Sequence, residues 1–169
     1  MSEHCEGCGF VWDAIAADEV GPGVRATTVA IAERLARAGA DATRRPSPDR
    51  WSVVEYAAHV RDVVTNVRDR IVQTLVEDEP TYAMLWRDHR VDLGLYAGDD
   101  PAEVAAEVTA AGSLFARTFE RIDPTLLTRT GLYTYPVAVP RSVLWIAAQV
   151  LHECRHHLAD IDEDLALLL

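Results

Sequence analysis

The segment Leu151-His152-Glu153-Cys154-Arg155-His156-His157-Leu158-Ala159-Asp160-Ile161 gathers three imidazoles and two carboxylates on one helical stretch. Two i, i+4 pairs are superimposed in it, His152 with His156 and Glu153 with His157. Side chains four apart leave the same face of a helix roughly 6 Å from one another, so both members of a pair can reach one ion. Bundle metal sites are built in this way, with a further ligand from a facing helix. His59 is the other histidine on a long helical segment, and it borders the inward stripe Tyr56, Val60 and Val63. Facial position favours Glu153 and His157, which flank Val150, Cys154 and Ile161. His152 and His156 fall beside Trp145, Gln149 and Ala159, nearer the stripe's edge. They stay open as ligands or as hydrogen-bonding partners of a ligating imidazole, and Asp160 is placed to orient one. A His2Glu set leaves one coordination position free, the arrangement that activates water or a thiol. The plain alternative for His156-His157 is a polar helix end, where the dipole favours cations. Arg61, Asp62, Arg68, Asp69 and Arg70 have the spacing of an ordinary solvated face.

Cys5-Glu6-Gly7-Cys8 is half of a metal site, because a structural zinc needs four ligands and no second C-x-x-C is present. Three readings compete for it. Its thiolates join His152 and His156 in a Cys2His2 site, or complete a site with His59 and His157, or remain free. A thioredoxin-like role lacks the surrounding βαβ pattern.

The elements that must position these groups are four amphipathic helices, with no clear strands. Gly21-Pro22-Gly23 is expected to close a Cys-bearing arm over residues 1–20, leaving a bundle over residues 21–169. Val24, Ile31, Leu35 and Ala38 carry the first helix to Gly39. The second opens at a capping box, Ser52 with Glu55, and a hydrophobic staple, Trp51 with Tyr56. Its stripe Val53, Tyr56, Val60, Val63, Val67 and Ile71 runs to about Val76. Residues 77–99 form a long connection with a short helix expected near residues 82–89. Asp100-Pro101-Ala102-Glu103 starts the third long helix, with Val104, Val108, Ala111, Phe115 and Phe119 inward. Ser142 starts the fourth, with Val143, Ala147, Val150, Cys154, Leu158, Ile161 and Leu165 inward. His59 lies roughly 10 Å along its helix from the cap, at 1.5 Å per residue, and His157 a similar distance before the end of the last helix. They are level only if those helices are antiparallel, which requires a crossover between the second and third. The expected fold is therefore an all-α four-helix bundle of up-down-down-up order.

The formal charge of -11 disfavours nucleic acid, whose binders gain affinity from clustered cations. No apolar run approaches the ~20 residues needed to span a membrane, and the acidic start lacks the features of a signal peptide. The expected setting is cytoplasmic, and an odd count of 3 cysteines argues against a disulfide framework. The basic residues are all arginine, a compositional bias to which no function attaches. A small-molecule substrate is the expected partner, with a homodimer as a further expectation.

Pro48-Asp49-Arg50-Trp51-Ser52-Val53-Val54-Glu55-Tyr56-Ala57-Ala58-His59-Val60-Arg61-Asp62, taken with Glu153-x-x-x-His157-x-x-Asp160-Ile161, resembles the DinB-like superfamily. That superfamily includes mycothiol-dependent maleylpyruvate isomerase and related thiol transferases. The resemblance covers roughly residues 24–165 and leaves the cysteine arm outside. It implies an up-down-down-up bundle and a divalent metal, zinc being expected, on His59, Glu153 and His157. Many DinB-like proteins have histidine where this chain has Glu153, whereas the isomerase has glutamate. The resemblance thus implies an S-transferase or isomerase that uses a low-molecular-weight thiol such as mycothiol on a small electrophile. A non-catalytic bundle with a structural zinc closed by Cys5 and Cys8, acting as a binding or stress-response module, is the alternative.

Overall fold

The computed structural model describes residues 3–169. Five α-helices and one hairpin follow in the order α1 (Ala17–Ala38), α2 (Val53–Val76), α3 (Arg87–Asp92), α4 (Pro101–Phe119), β1 (Thr130–Tyr133), β2 (Val139–Ser142) and α5 (Val143–Leu168). The four long helices are α1, α2, α4 and α5. None of the helices is long and apolar enough to cross a membrane.

The expected caps form. Ser52 accepts from the Glu55 N–H, while the Glu55 carboxylate accepts from the Ser52 N–H at 2.7 Å and its hydroxyl at 2.9 Å. Arg45 pairs with the same carboxylate, which is almost fully buried. Asp100 caps α4 by accepting from Ala102 and Glu103, and Ser142 caps α5 by accepting from Trp145. Trp51 packs on Tyr56 with ring centroids 5.4 Å apart, so the staple fixes how the chain enters α2.

Pairings along the helices set their directions. Arg25 reaches Ser113 and Glu120, and Thr28 lies against Gly112, so α1 and α4 are antiparallel. Gly23 packs on Leu151 and Arg34 pairs with Asp162, so α1 and α5 are parallel. Arg61 with Glu107 and Arg68 with Thr118 make α2 and α4 parallel. Arg50 with Asp164 and His59 with Glu153 make α2 and α5 antiparallel. The order is up-down-down-up, and α2 faces α5 at the height of His59.

Three local expectations are corrected. Helix α1 begins at Ala17 and runs through Gly21-Pro22-Gly23. The two glycines serve close approach there: a Cβ would fall 2.8 Å from Glu120 Oε1 at Gly21 and 2.8 Å from Leu151 Cδ1 at Gly23. Burial of Val20 and Val24 on both sides of the proline outweighs the local breaker signal. The short helix is α3, starting only at Arg87, because Trp86 adopts a left-handed φ of 58° that a helix cannot include. Two strands exist where none was expected. Thr130 pairs with Ser142 and Tyr133 with Val139 in an antiparallel hairpin. Each strand has four residues and Pro140 lies within one of them, too short and interrupted for a period of two to show.

Candidate metal centre

His59 sits in the second turn of α2 at 1% exposure, with Trp51 packed edge-on at 5.5 Å between centroids. Glu153 and His157 face it from α5. His59 Nε2 lies 3.3 Å from Glu153 Oε2, and His157 Nε2 lies 3.4 Å from the same oxygen. In a tetrahedral zinc site with bonds of about 2.1 Å, neighbouring donor atoms stand about 3.4 Å apart. Two edges of the trio already have that spacing.

The surroundings of Glu153 test whether a cation fits. Its oxygens meet the imidazoles of His59, His152 and His157 and the Gln149 amide, which donates to Oε1 at 2.7 Å. Among the described residues no arginine reaches this carboxylate, so its charge is buried without a permanent counter-ion, and a divalent ion would compensate it. The donors are the imidazole and carboxylate types that zinc takes. His157 is oriented by Asp160, whose Oδ2 lies 2.8 Å from Nδ1, turning Nε2 toward Glu153. His59 Nδ1 is buried without such a partner among the described residues, so the ring is held by packing and by the contact of Nε2 with Glu153.

Electrostatics follow from burial and these contacts. Burial pushes the Glu153 carboxyl up, but the surrounding imidazoles of His152, His157 and His59 outweigh it and hold the group well below its ordinary range. Burial pulls the His59 imidazole down; Glu153 opposes this, His157 adds to it, and the ring stays below its ordinary value. Burial also pulls on His157, yet hydrogen bonds with Asp160 and Glu153 raise it to about 9. A metal at this trio would therefore meet an ionised carboxylate and a neutral His59, and would have to displace a proton from His157.

The other candidates form a separate group. Cys5, Cys8, His152 and His156 offer donor atoms within 4.8 Å of one another, as do His59, Glu153 and His157 in theirs. The two interleaved pairs on α5 thus point to two places. His152 is buried, which its place near the stripe's edge did not indicate, because Phe10 and Trp12 of the arm cover it.

A cavity of about 480 Å³ opens beside the trio, with His59 and Glu153 on its wall. Its apolar lining includes Val63, Met84, Trp86 and Trp145. Its cations are Arg70, Arg87 and Arg141. Arg141 is neutralised by Glu3 and Arg87 lies 3.5 Å from Asp88, whereas Arg70 has no carboxylate partner among the described residues. Sequence reasoning missed Arg70, which it assigned to a solvated face, and Gln149, which lies four residues before Glu153 and was detectable by that spacing. It also missed Trp12, which donates to Gln149 Oε1 at 2.8 Å and had no spacing signal at all.

The sequence matches the DinB superfamily over residues 23–161. The chain belongs to the DinB superfamily. Among curated proteins none matches. A solved structure with a similar fold is YfiT from Bacillus subtilis, described as a probable metal-dependent hydrolase with an unusual four-helix bundle topology. The similarity has a TM-score of 0.74 at 14% identity and covers 89% of this chain and 88% of that one. It shows that this DinB superfamily member shares the YfiT bundle.

Proposed function

We propose that this DinB superfamily protein is a cytoplasmic, metal-dependent enzyme that transfers a low-molecular-weight thiol to a small, anionic electrophile. Zinc is the proposed ion and His59, Glu153 and His157 its ligands. The observation that carries the proposal is the spacing of those donors, His59 and Glu153 lying on the wall of a cavity whose Arg70 guanidinium has no carboxylate partner among the described residues. A divalent ion held there would lower the pKa of a coordinated thiol and make it a nucleophile at neutral pH.

The chain's own residues supply the rest. Asp160 and Gln149 fix His157 and Glu153, so the donors are oriented before any ligand arrives. Arg70 offers a charge to a substrate carboxylate or phosphate, and Trp145, Met84 and Val63 exclude water from the remainder. The glutamate at position 153 supports the thiol-dependent branch. A second reading, hydrolysis with water as nucleophile, is favoured by the description of YfiT. Zinc closed by Cys5 and Cys8 at the trio loses support, since the thiols gather with His152 and His156 instead.

Chelated protein reloaded with zinc separates these readings in an assay of mycothiol consumption against small unsaturated carboxylates. Turnover is expected to require both zinc and thiol, and to be lost in Glu153→Gln. Zinc-dependent hydrolysis without thiol would replace the transferase with a hydrolase. Bound zinc with no turnover of either kind would remove the enzyme.

A further inference from the structure

The arm before α1 forms a compact turn against α5. Cys5 N–H donates to the Phe10 carbonyl at 2.8 Å and Gly9 N–H to the Cys5 carbonyl at 2.8 Å, while His4 bridges to Val11. Gly9 takes a φ of 71°, which lets the chain reverse immediately after Cys8. The turn presents both sulfurs to α5. Cys5 Sγ lies 3.9 Å from His156 Nδ1, and the four donor atoms of Cys5, Cys8, His152 and His156 all fall within 4.8 Å of one another. Gly7 admits the approach, since a Cβ there would sit 3.0 Å from His156 Cε1.

His152 is an independent observation that points to a ligand. Its ring is buried at 8% exposure, beneath Phe10 and Trp12, and neither ring nitrogen has a hydrogen-bond partner among the described residues, Glu153 Oε1 standing off at 3.7 Å from Nδ1. An imidazole with both nitrogens unsatisfied is costly to bury, and a metal bond to one of them removes most of that cost. In tetrahedral zinc sites with Zn–S of about 2.3 Å and Zn–N of about 2.1 Å, sulfur and nitrogen stand roughly 3.6 Å apart, against 3.9 Å between Cys5 Sγ and His156 Nδ1.

We propose that Cys5, Cys8, His152 and His156 hold a second, structural zinc ion that clasps the N-terminal arm to α5. Two thiolates balance the ion's charge, and four protein ligands close it to substrate. The clasp reaches the trio through the arm: Trp12 donates to Gln149 at 2.8 Å, and Gln149 donates to Glu153 at 2.7 Å. The clasp thereby positions a wall of the cavity, to which Glu3 and Trp12 both contribute.

Metal content and zinc-edge X-ray absorption of the full chain, purified under reducing conditions without chelator, test the clasp. Two zinc ions per chain are expected, averaging about one sulfur per zinc at about 2.3 Å. Cys5→Ser/Cys8→Ser should retain one zinc without sulfur scattering. Glu153→Gln, which alters the trio and none of the four clasp ligands, should retain the sulfur signal with a higher sulfur share per zinc. The Glu153→Gln and wild-type spectra decide the matter even if the cysteine variant does not fold. Wild-type protein with no zinc–sulfur scattering, or with Cys5 joined to Cys8 in a disulfide after reducing purification, would overturn the clasp while leaving the first site untouched.

Discussion

Replacing Glu153 with glutamine keeps the side chain's volume and its neighbour Gln149, and removes the one anionic donor of the trio. Because the donors already stand at 3.3 and 3.4 Å, an ion at the wild-type site would need little rearrangement, and the variant would forfeit the ligand bond itself. Loss of an outer-shell partner costs about 10–100-fold in metal affinity, so loss of a direct ligand should cost about 100-fold or more. At free zinc near 1,000 times the wild-type Kd, linkage stabilises the folded protein by ~4.1 kcal/mol, against ~1.4 kcal/mol for a site 100-fold weaker. The missing ~2.7 kcal/mol corresponds to roughly 5–11 °C for a chain of this size. The assay is thermal unfolding with zinc and with chelator, for each protein. Differencing against the chelated state removes any intrinsic effect of the substitution, and the Cys5 group is intact in both proteins. An equal zinc-dependent shift in wild type and Glu153→Gln would refute the assignment.

Three further outcomes concern the scaffold. Gly112→Ala gains ~1 kcal/mol of helix propensity, but its Cβ would lie 2.0 Å from Thr28 Oγ1 and 2.8 Å from Thr28 Cβ. Overpacking should win, with a net loss of about 1–3 kcal/mol in urea unfolding that Thr28→Ala partly restores. Arg50→Met strands Asp164, which is fully buried and pairs with Arg50 Nε at 2.6 Å. A loss of about 3 kcal/mol is expected, with partial recovery when Asp164→Asn is added. For Glu55, burial raises the carboxyl, but hydrogen bonds from Arg45 and Ser52 bring it below its ordinary value of 4.5. Its contribution is therefore full above about pH 4.5 and disappears as pH falls through the lower folded value. Chemical denaturation should show Glu55→Gln less stable than wild type at neutral pH and equal to it in strong acid.

Legibility in the sequence followed how local each determinant is. The caps Ser52, Asp100 and Ser142 announce themselves within four residues, and all three are observed. The apolar stripes fixed four long helices, and requiring His59 to meet α5 fixed their directions. The meeting of His59, Glu153 and His157 was legible because two of them share a helical turn and the third has a height set by its cap. Gly21-Pro22-Gly23 misled because its local signal for a break is overridden by contacts with Glu120 and Leu151, far away in sequence. The hairpin was hidden because four-residue strands carry too few alternations to register. Arg70 looked like part of a charged surface, and only the approach of α3 and the hairpin turns it into a cavity wall. The choice between the cysteine readings depended on where the arm lands, which no periodicity encodes.

The most direct measurement is an anomalous difference map, collected on either side of the zinc edge, from crystals grown without chelator. A peak bonded at once to His59 Nε2, Glu153 Oε2 and His157 Nε2, with a coordination position open toward the cavity, is the expected result. The contrary result is a map with no peak there, the imidazoles and the carboxylate hydrogen-bonded only to each other, in protein that holds zinc elsewhere.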